Sequence, residues 1–345
     1  YAELNLPSGN YTFEPFWDPG YSEWYQENCG QCDYTYGGSV EIEIISTSTS
    51  LINTYMYSYN TYGFTLGADG GGSGQTTGNG GGIHQNGNLY VESSQILNNT
   101  SGHGGGIYLN GELNLNNSQV NENTTSGKGA GVYVSGHTTI DSSFVNHNNS
   151  MQEGGGLYGN GDLLMTFTEV NDNTTATFGG GMNWDSGQVT IQRSDIRRNT
   201  ADVGGGVYIT TENPIFQFDV IADNHAIANG GGMYITKETS LPSTPIIFNS
   251  TVVNNTSTVL GAGLLCTNLT NPVVQNSIFW GNLAADGVQI HLQGASEIFV
   301  NFCDIAGDVG GIVGFDDIIY QSNLNLIPEF VNSSEEDYSL LVTSP

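Results

Sequence analysis

Gly104-Gly105-Gly106-Ile107-Tyr108-Leu109-Asn110 decides the fold, because the chain repeats it about every 25 residues. The small-residue triplet recurs as Gly80 to Gly82, Gly104 to Gly106, Gly129-Ala130-Gly131, Gly154 to Gly156, Gly179 to Gly181, Gly204 to Gly206, Gly230 to Gly232 and Gly261-Ala262-Gly263. Successive copies are 24, 25, 25, 25, 25, 26 and 31 residues apart. A second motif, S-x-[VI]-x-x-N, keeps the same phase, as in Ser94–Asn99, Ser118–Asn123, Ser143–Asn148, Ser194–Asn199, Ser250–Asn255 and Ser277–Asn282. Two motifs in one phase define a repeat protein, and the content of the unit decides its architecture.

Helical repeats of 33 to 47 residues are longer than this unit and need Ala/Leu/Glu/Lys-rich helices. The L-x-x-L-x-L pattern of leucine-rich repeats is absent. Short alternating stretches take their place, such as Ile107-Tyr108-Leu109, Leu113-Asn114-Leu115 and Val120, broken by Gly and Asn. Alternation of that length is a strand signal. The fold expected is all-β: a single-stranded right-handed parallel β-helix of about ten to eleven coils, with three short strands per coil, roughly 50 Å long at a rise of about 4.8 Å. Residues 1–345 form one domain in this reading, with regular repeats over 80–300 and C-terminal coils and a cap over 301–345. Ile83, Ile107, Val132, Leu157, Met182, Val207, Met233 and Leu264 follow the triplet and should stack inward. The triplet itself marks a corner needing positive φ or close backbone approach. Asn99, Asn123, Asn148, Asn173, Asn199, Asn224, Asn255 and Asn282 form a structural column, expected to take left-handed turns and to hydrogen-bond as a ladder.

The G-G-G-[IV]-Y corner with S-x-[VI]-x-x-N resembles the right-handed parallel β-helix repeats of bacterial surface proteins, including the polymorphic outer-membrane proteins. Leu6-Pro7-Ser8-Gly9-Asn10-Tyr11-Thr12 looks like the first strand of that group. Ile327-Pro328-Glu329-Phe330-Val331 with Asp337-Tyr338-Ser339-Leu340 looks like its last coil, after which an anchoring segment often follows. The resemblance implies a fold and no single activity.

Net charge is −29, and the cause is a shortage of bases: Lys+Arg total 5 against 34 Asp+Glu. A nucleic-acid binder needs a basic face, so that class is excluded. Polyanionic sugars and acidic lipids are disfavoured for the same reason. No cofactor and no metal centre is expected; weak surface Ca²⁺ binding is consistent with the charge alone. Four cysteines are too few for a disulfide scaffold. The chain begins at Tyr1 with no charged-then-apolar leader and no run of 18 apolar residues. It reads as a trimmed ectodomain, extracellular or on a cell surface, without direct membrane insertion.

Function on a solenoid belongs where the repeat is broken or on an exposed column. Residues 13–38 lack the repeat and gather Trp17, Trp24 and Tyr25 around Cys29 and Cys32, which a disulfide would close into a flap over the N-terminal end; partner binding by those aromatics is the alternative. Tyr108, Tyr133, Tyr158, Tyr208 and Tyr234 follow the inward aliphatics and should face outward. They read either as a packing stack or as a platform for neutral sugars or a protein face. Residues 237–245 add a loop. A catalytic β-helix is the competing class, but bases are scarce. Asp316-Asp317 is the only hydrolase-type acid pair, Gly102-His103-Gly104 falls inside the repeated corner, and Arg193, Arg197 and Arg198 read as salt-bridge partners of Asp185 and Asp195. The expected function is a non-catalytic structural or adhesive module contacting glycans or surface proteins. Its alternatives are a self-assembling filament subunit, stacked end to end or laterally, and a carbohydrate-active enzyme.

Overall fold

The computed structural model describes residues 78–237, 242–294 and 297–344, together with the backbone of 4–5, 10–12, 44–45, 55–57 and 62–67. Trp17, Trp24, Tyr25, Cys29, Cys32 and the rest of the 13–38 flap lie outside the described residues. Parallel strands stack into a β-solenoid of about nine turns. Each regular coil carries four strands rather than three, as in Ile107–Asn110, Leu113–Asn116, Gln119–Asn121 and Thr124–Thr125. The fourth is two residues long, too short for alternation to announce it. Equivalent strands pair in register, Ile107 between Ile83 and Val132 and Leu113 between Leu89 and Thr138, so the coils build a first, second, third and fourth sheet.

One left-handed residue makes each corner of the coil: Gly104 (φ 60°), Gly111 (φ 152°), Asn117 (φ 46°) and Glu122 (φ 59°). Only the first two positions are kept mostly as glycine. Gly105 is needed for another reason, since a Cβ there would sit 2.4 Å from the carbonyl oxygen of Ala130 on the next coil. The Asn column is not the left-handed one. Positive φ falls one residue earlier, on Asn98, Glu122, His147, Asp172, Arg198, Asp223, Asn254 and Gly281. The turn residue then points to solvent while the following Asn points inward, where its amide is buried.

That buried amide forms the expected ladder. Asn123 Nδ2 donates to Asn148 Oδ1 at 3.0 Å and to the Ile96 carbonyl at 2.9 Å, while the Asn123 backbone N–H also donates to Asn148 Oδ1. The pattern runs from Asn99 to Asn282, which ends it on Gln289 Oε1. A second column was not anticipated as a network. Ser94, Ser118, Ser143, Thr168, Ser194, Asp219, Ser250, Ser277 and Cys303 occupy the corner between the second and third sheets. Ser118 Oγ donates to the Asn116 carbonyl and accepts the N–H of Ser94. These polar columns satisfy backbone groups that the turns withdraw from the sheets. Between them runs one continuous apolar core, including Ile107, Leu109, Leu113, Leu115 and Val120 in a single coil. Cys266 and Cys303 are free thiols inside it.

The two ends differ from a simple continuation. Tyr62–Gly67 pairs antiparallel with Ile83–Asn86, and Tyr55–Tyr57 pairs antiparallel with Leu89–Glu92, so the strands beside the first coil run against the stack instead of adding parallel coils. This accounts for about nine turns where ten to eleven were expected. The stretch expected as a last coil is a hairpin, Phe330–Asn332 against Asp337–Leu340, lying on the flank of the third sheet. Tyr338 packs there with Ala222 and Val253, against Val220, Ile278, Trp280 and Phe330. Its hydroxyl donates to Asp223 Oδ2 at 2.6 Å. Arg198 joins Asp172 to Glu336, and Arg197 donates to the Glu336 carbonyl at 2.7 Å.

Candidate functional site

The tyrosine column stands where the register put it, on the outward side of the first sheet. Ring centroids lie 4.7 Å apart for Tyr108–Tyr133, 5.0 Å for Tyr133–Tyr158 and 5.1 Å for Tyr208–Tyr234, with planes within 25°. Tyr133 therefore has both faces stacked on its neighbours in the column, and each of the other four has one face so taken. Tyr158 is buried, and the other four are half-buried. Asn183 interrupts the row, and Phe178 packs on Tyr208 instead. The residue before each Gly corner forms a wall beside the column: His103 meets Tyr133 edge-on, and Lys128 lies over Tyr158 at 4.4 Å.

The middle of this column is a closed polar network. Tyr158 Oη donates to Asp185 Oδ2 at 2.5 Å and accepts from Lys128 Nζ at 3.2 Å, and Lys128 pairs with Glu153. Burial pushes the Tyr158 hydroxyl well above its ordinary value, and its hydrogen bond to Asp185 adds to the shift. Burial alone would lower the Lys128 pKa; hydrogen bonds to Glu153 and Tyr158 outweigh it and raise the value instead. A tyrosine held protonated and a lysine held charged make a poor base pair for proton transfer. His103, of the G-H-G triplet, accepts the Lys128 backbone N–H at 3.0 Å, and burial together with Lys128 lowers its pKa. Asp195 pairs with Arg197 as expected. Asp185 serves Tyr158, and it is Asp172 that grips Arg198 bidentately at 2.8 Å.

A different surface emerges on the second sheet. Its first outward row reads Tyr90, Asn114, Thr139, Leu164, Thr190, Ile215, Ile246, Val273, Phe299 and Ile319 from one end to the other. The row is mixed in the early coils and wholly apolar from Ile215 onward. Four coil steps make this ribbon about 19 Å long. Ile246 and Ile319 are exposed, 36% and 48%. A shallow cleft of about 250 Å³ opens beside it, lined by Val273, Phe299 and Ile319 with Glu297 and Asp317 among the polar residues. Glu297 and Asp317 are register partners one coil apart, as Glu169 and Asp195 are on the third sheet, so acids do align across coils. Asp316 lies just outside the strand, exposed.

The corner bordering this sheet carries bulky residues in left-handed conformations: Phe167 (φ 48°), Arg193 (φ 51°), Phe218 (φ 62°) and Phe302 (φ 56°). The Arg193 guanidinium sits between Phe167 at 5.5 Å and Phe218 at 5.1 Å, an exposed cation–π stack. Sequence reasoning missed the ribbon, although a signal existed. Ile246-Ile247-Phe248, Ile298-Phe299-Val300 and Ile318-Ile319-Tyr320 break alternation, which in a strand means apolar residues on both faces.

Among the described residues no group of three or more His, Cys, Asp or Glu is placed to hold a metal ion. No described helix is long and apolar enough to cross a membrane. No protein-family model, no curated protein and no solved structure matches the chain.

Proposed function

We propose that the protein is a non-catalytic extracellular module, a rigid β-solenoid of a cell surface or fibre that contacts a protein partner through the outer row of its second sheet. The observation that carries this reading is the row's change from mixed to continuous apolar character between Thr190 and Ile215. A ribbon of that length, aliphatic at every position but Phe299, suits a protein face better than a sugar, which stacks on a platform of aromatic rings. Charge narrows the partner further. The chain carries −29, and Glu297 and Asp317 line the cleft, so the complementary surface is an apolar ridge flanked by basic side chains. The resemblance of the repeats to bacterial surface solenoids agrees with this setting. The scarcity of Lys and Arg also leaves few sites for trypsin-like proteases.

The test is binding of the purified chain to an array of extracellular proteins and to a neutral glycan array, alongside the variants Ile246→Asp and Val273→Asp. The reading predicts a protein ligand with basic flanks and at least a tenfold loss, about 1.4 kcal/mol, in each variant. Binding to glycans that survives both variants but fails in Tyr108→Ser or Tyr133→Ser would move the contact to the tyrosine column. Release of reducing sugars from a glycan, lost in Asp317→Asn, would instead favour the enzyme reading.

A further inference from the structure

The last coil leaves a backbone edge uncovered. Asp317–Gln321 pairs on one side with Glu297–Asn301, and among the described residues no strand pairs with its other side. Among the described residues the chain does not fill this gap itself. After Leu324, which bridges to Asp304, it turns back along the flank and places Glu336 on Arg198 and Tyr338 on Asp223. At the opposite end of the solenoid this sheet finishes on Tyr55–Tyr57, which runs antiparallel to its neighbour Leu89–Glu92. A head-to-tail stack would offer Asp317–Gln321 only that three-residue antiparallel edge, whereas a two-fold pairing offers it all five residues of its own strand.

Backbone groups alternate sides along a strand. In the coil before, Phe299 N–H donates backward to the Pro272 carbonyl, and the Asn301 carbonyl accepts from Asn276 on the same side. Ile319 is the register partner of Phe299 and Gln321 that of Asn301. Ile318 and Tyr320 thus direct their N–H and C=O groups off the end of the rod, where the Ile318 N–H is held by its neighbour's carboxylate, Asp317 Oδ1, at 2.8 Å. Their side chains lie over the open end of the core, only partly buried.

The geometry points to a second copy of this chain as the occupant: two rods joined end to end through a two-fold axis at Ile319. Antiparallel pairing about Ile319 sets Ile318 opposite the partner's Tyr320 and the reverse; each Tyr320 N–H then donates to the facing Ile318 carbonyl, and each Ile318 N–H exchanges its Asp317 carboxylate for the facing Tyr320 carbonyl, about four backbone hydrogen bonds in all. It sets Asp317 opposite Gln321, so no like charges face each other within the strand pair. The two open core ends close on one another, and the edge that invites aggregation disappears. Such a dimer is a closed assembly, not the open filament that the sequence allowed. Since both copies are strongly acidic, their association strengthens as salt rises. This inference is independent of the binding reading above: a monomer that still bound through Ile246 and Val273 would sink the dimer alone.

The test uses the full chain. Sedimentation equilibrium at 50 and 500 mM NaCl should give twice the chain mass, with tighter association in the higher salt. Ile319→Cys places two thiols across the axis in a non-hydrogen-bonded pair, with Cα atoms about 4.5 Å apart, close enough for a disulfide. Under mild oxidation it should cross-link at least tenfold faster than Ile246→Cys, which lies on the same outward row three coils back, and than the parent chain. Tyr320→Pro, which removes the central N–H donor, should weaken the dimer at least tenfold. If that variant fails to fold, the cross-linking comparison decides. A single-chain mass at both salt concentrations, or cross-linking at position 319 no faster than at 246, overturns the proposal.

Discussion

Asp219 shows how much a single position carries. Its column otherwise presents Ser, Thr or Cys, whose side chain both accepts an N–H and donates to a carbonyl; here a buried carboxylate accepts N–H groups from Ser194 at 2.9 Å and Gln217 at 2.8 Å. Burial pushes its pKa up to about 7; the two N–H donors oppose the shift, and the nearby Asp195 adds to it. A raised carboxyl pKa means that the folded state binds the proton more tightly than the unfolded chain. The stability that Asp219 contributes is therefore complete below its unfolded value of about 4 and is lost as pH rises toward about 7. Urea midpoints should show Asp219→Ser gaining on the parent between pH 4.5 and 7.5; parallel pH profiles would contradict this. The ladder residue Asn148 should be costly to change, because removing its amide orphans the Asn123 N–H and the Val120 carbonyl. Asn148→Ala should lose about 2–4 kcal/mol by denaturant unfolding. The Asn column was legible from sequence because it repeats. The Ser column's role was not, since a serine in phase says nothing about which carbonyl it meets.

Elements succeed or fail here through the vertical fit of one coil on the next. In the first sheet, Gly159 lies beneath the buried Trp184, and a Cβ on Gly159 would come within 2.3 Å of the indole ring. The neighbouring column members Leu109, Val134 and Ile209 are ordinary aliphatics, so this glycine serves to house the tryptophan. Gly159→Val should cost about 1–3 kcal/mol by overpacking, and adding Trp184→Leu should recover part of it. A thermodynamic cycle without coupling would refute the small-against-large account. The tyrosine stack belongs to the same class of contact. Tyr133 has a stacked ring on each side, so Tyr133→Ser should lose about 1–3 kcal/mol from two pairs. Alternation fixed which side these tyrosines leave the sheet; it could not show that their faces close on each other, because that depends on ring angle. The fourth strand and the C-terminal hairpin escaped notice for a related reason. Two-residue strands carry no period, and the hairpin's partners Asp223 and Asn254 lie 115 and 84 residues away from Tyr338.

At the scale of the whole molecule, period alone fixed the architecture, while the ends and the outer surface did not follow from it. A repeat motif describes what coils share, and capping strands, the ribbon and the open edge are what they do not share. The tyrosine column and the ribbon both require that residues 20 to 31 apart lie one coil apart. Asn117 and Asn276 test that directly, since both are exposed corner residues with φ near 47° in one column. With spin labels on cysteines at these positions, and the native cysteines replaced, pulsed dipolar spectroscopy should give one narrow distance near 29 Å, six steps of about 4.8 Å. A broad distribution, or a narrow one displaced by more than a coil or two, would contradict the stack and every surface built on it.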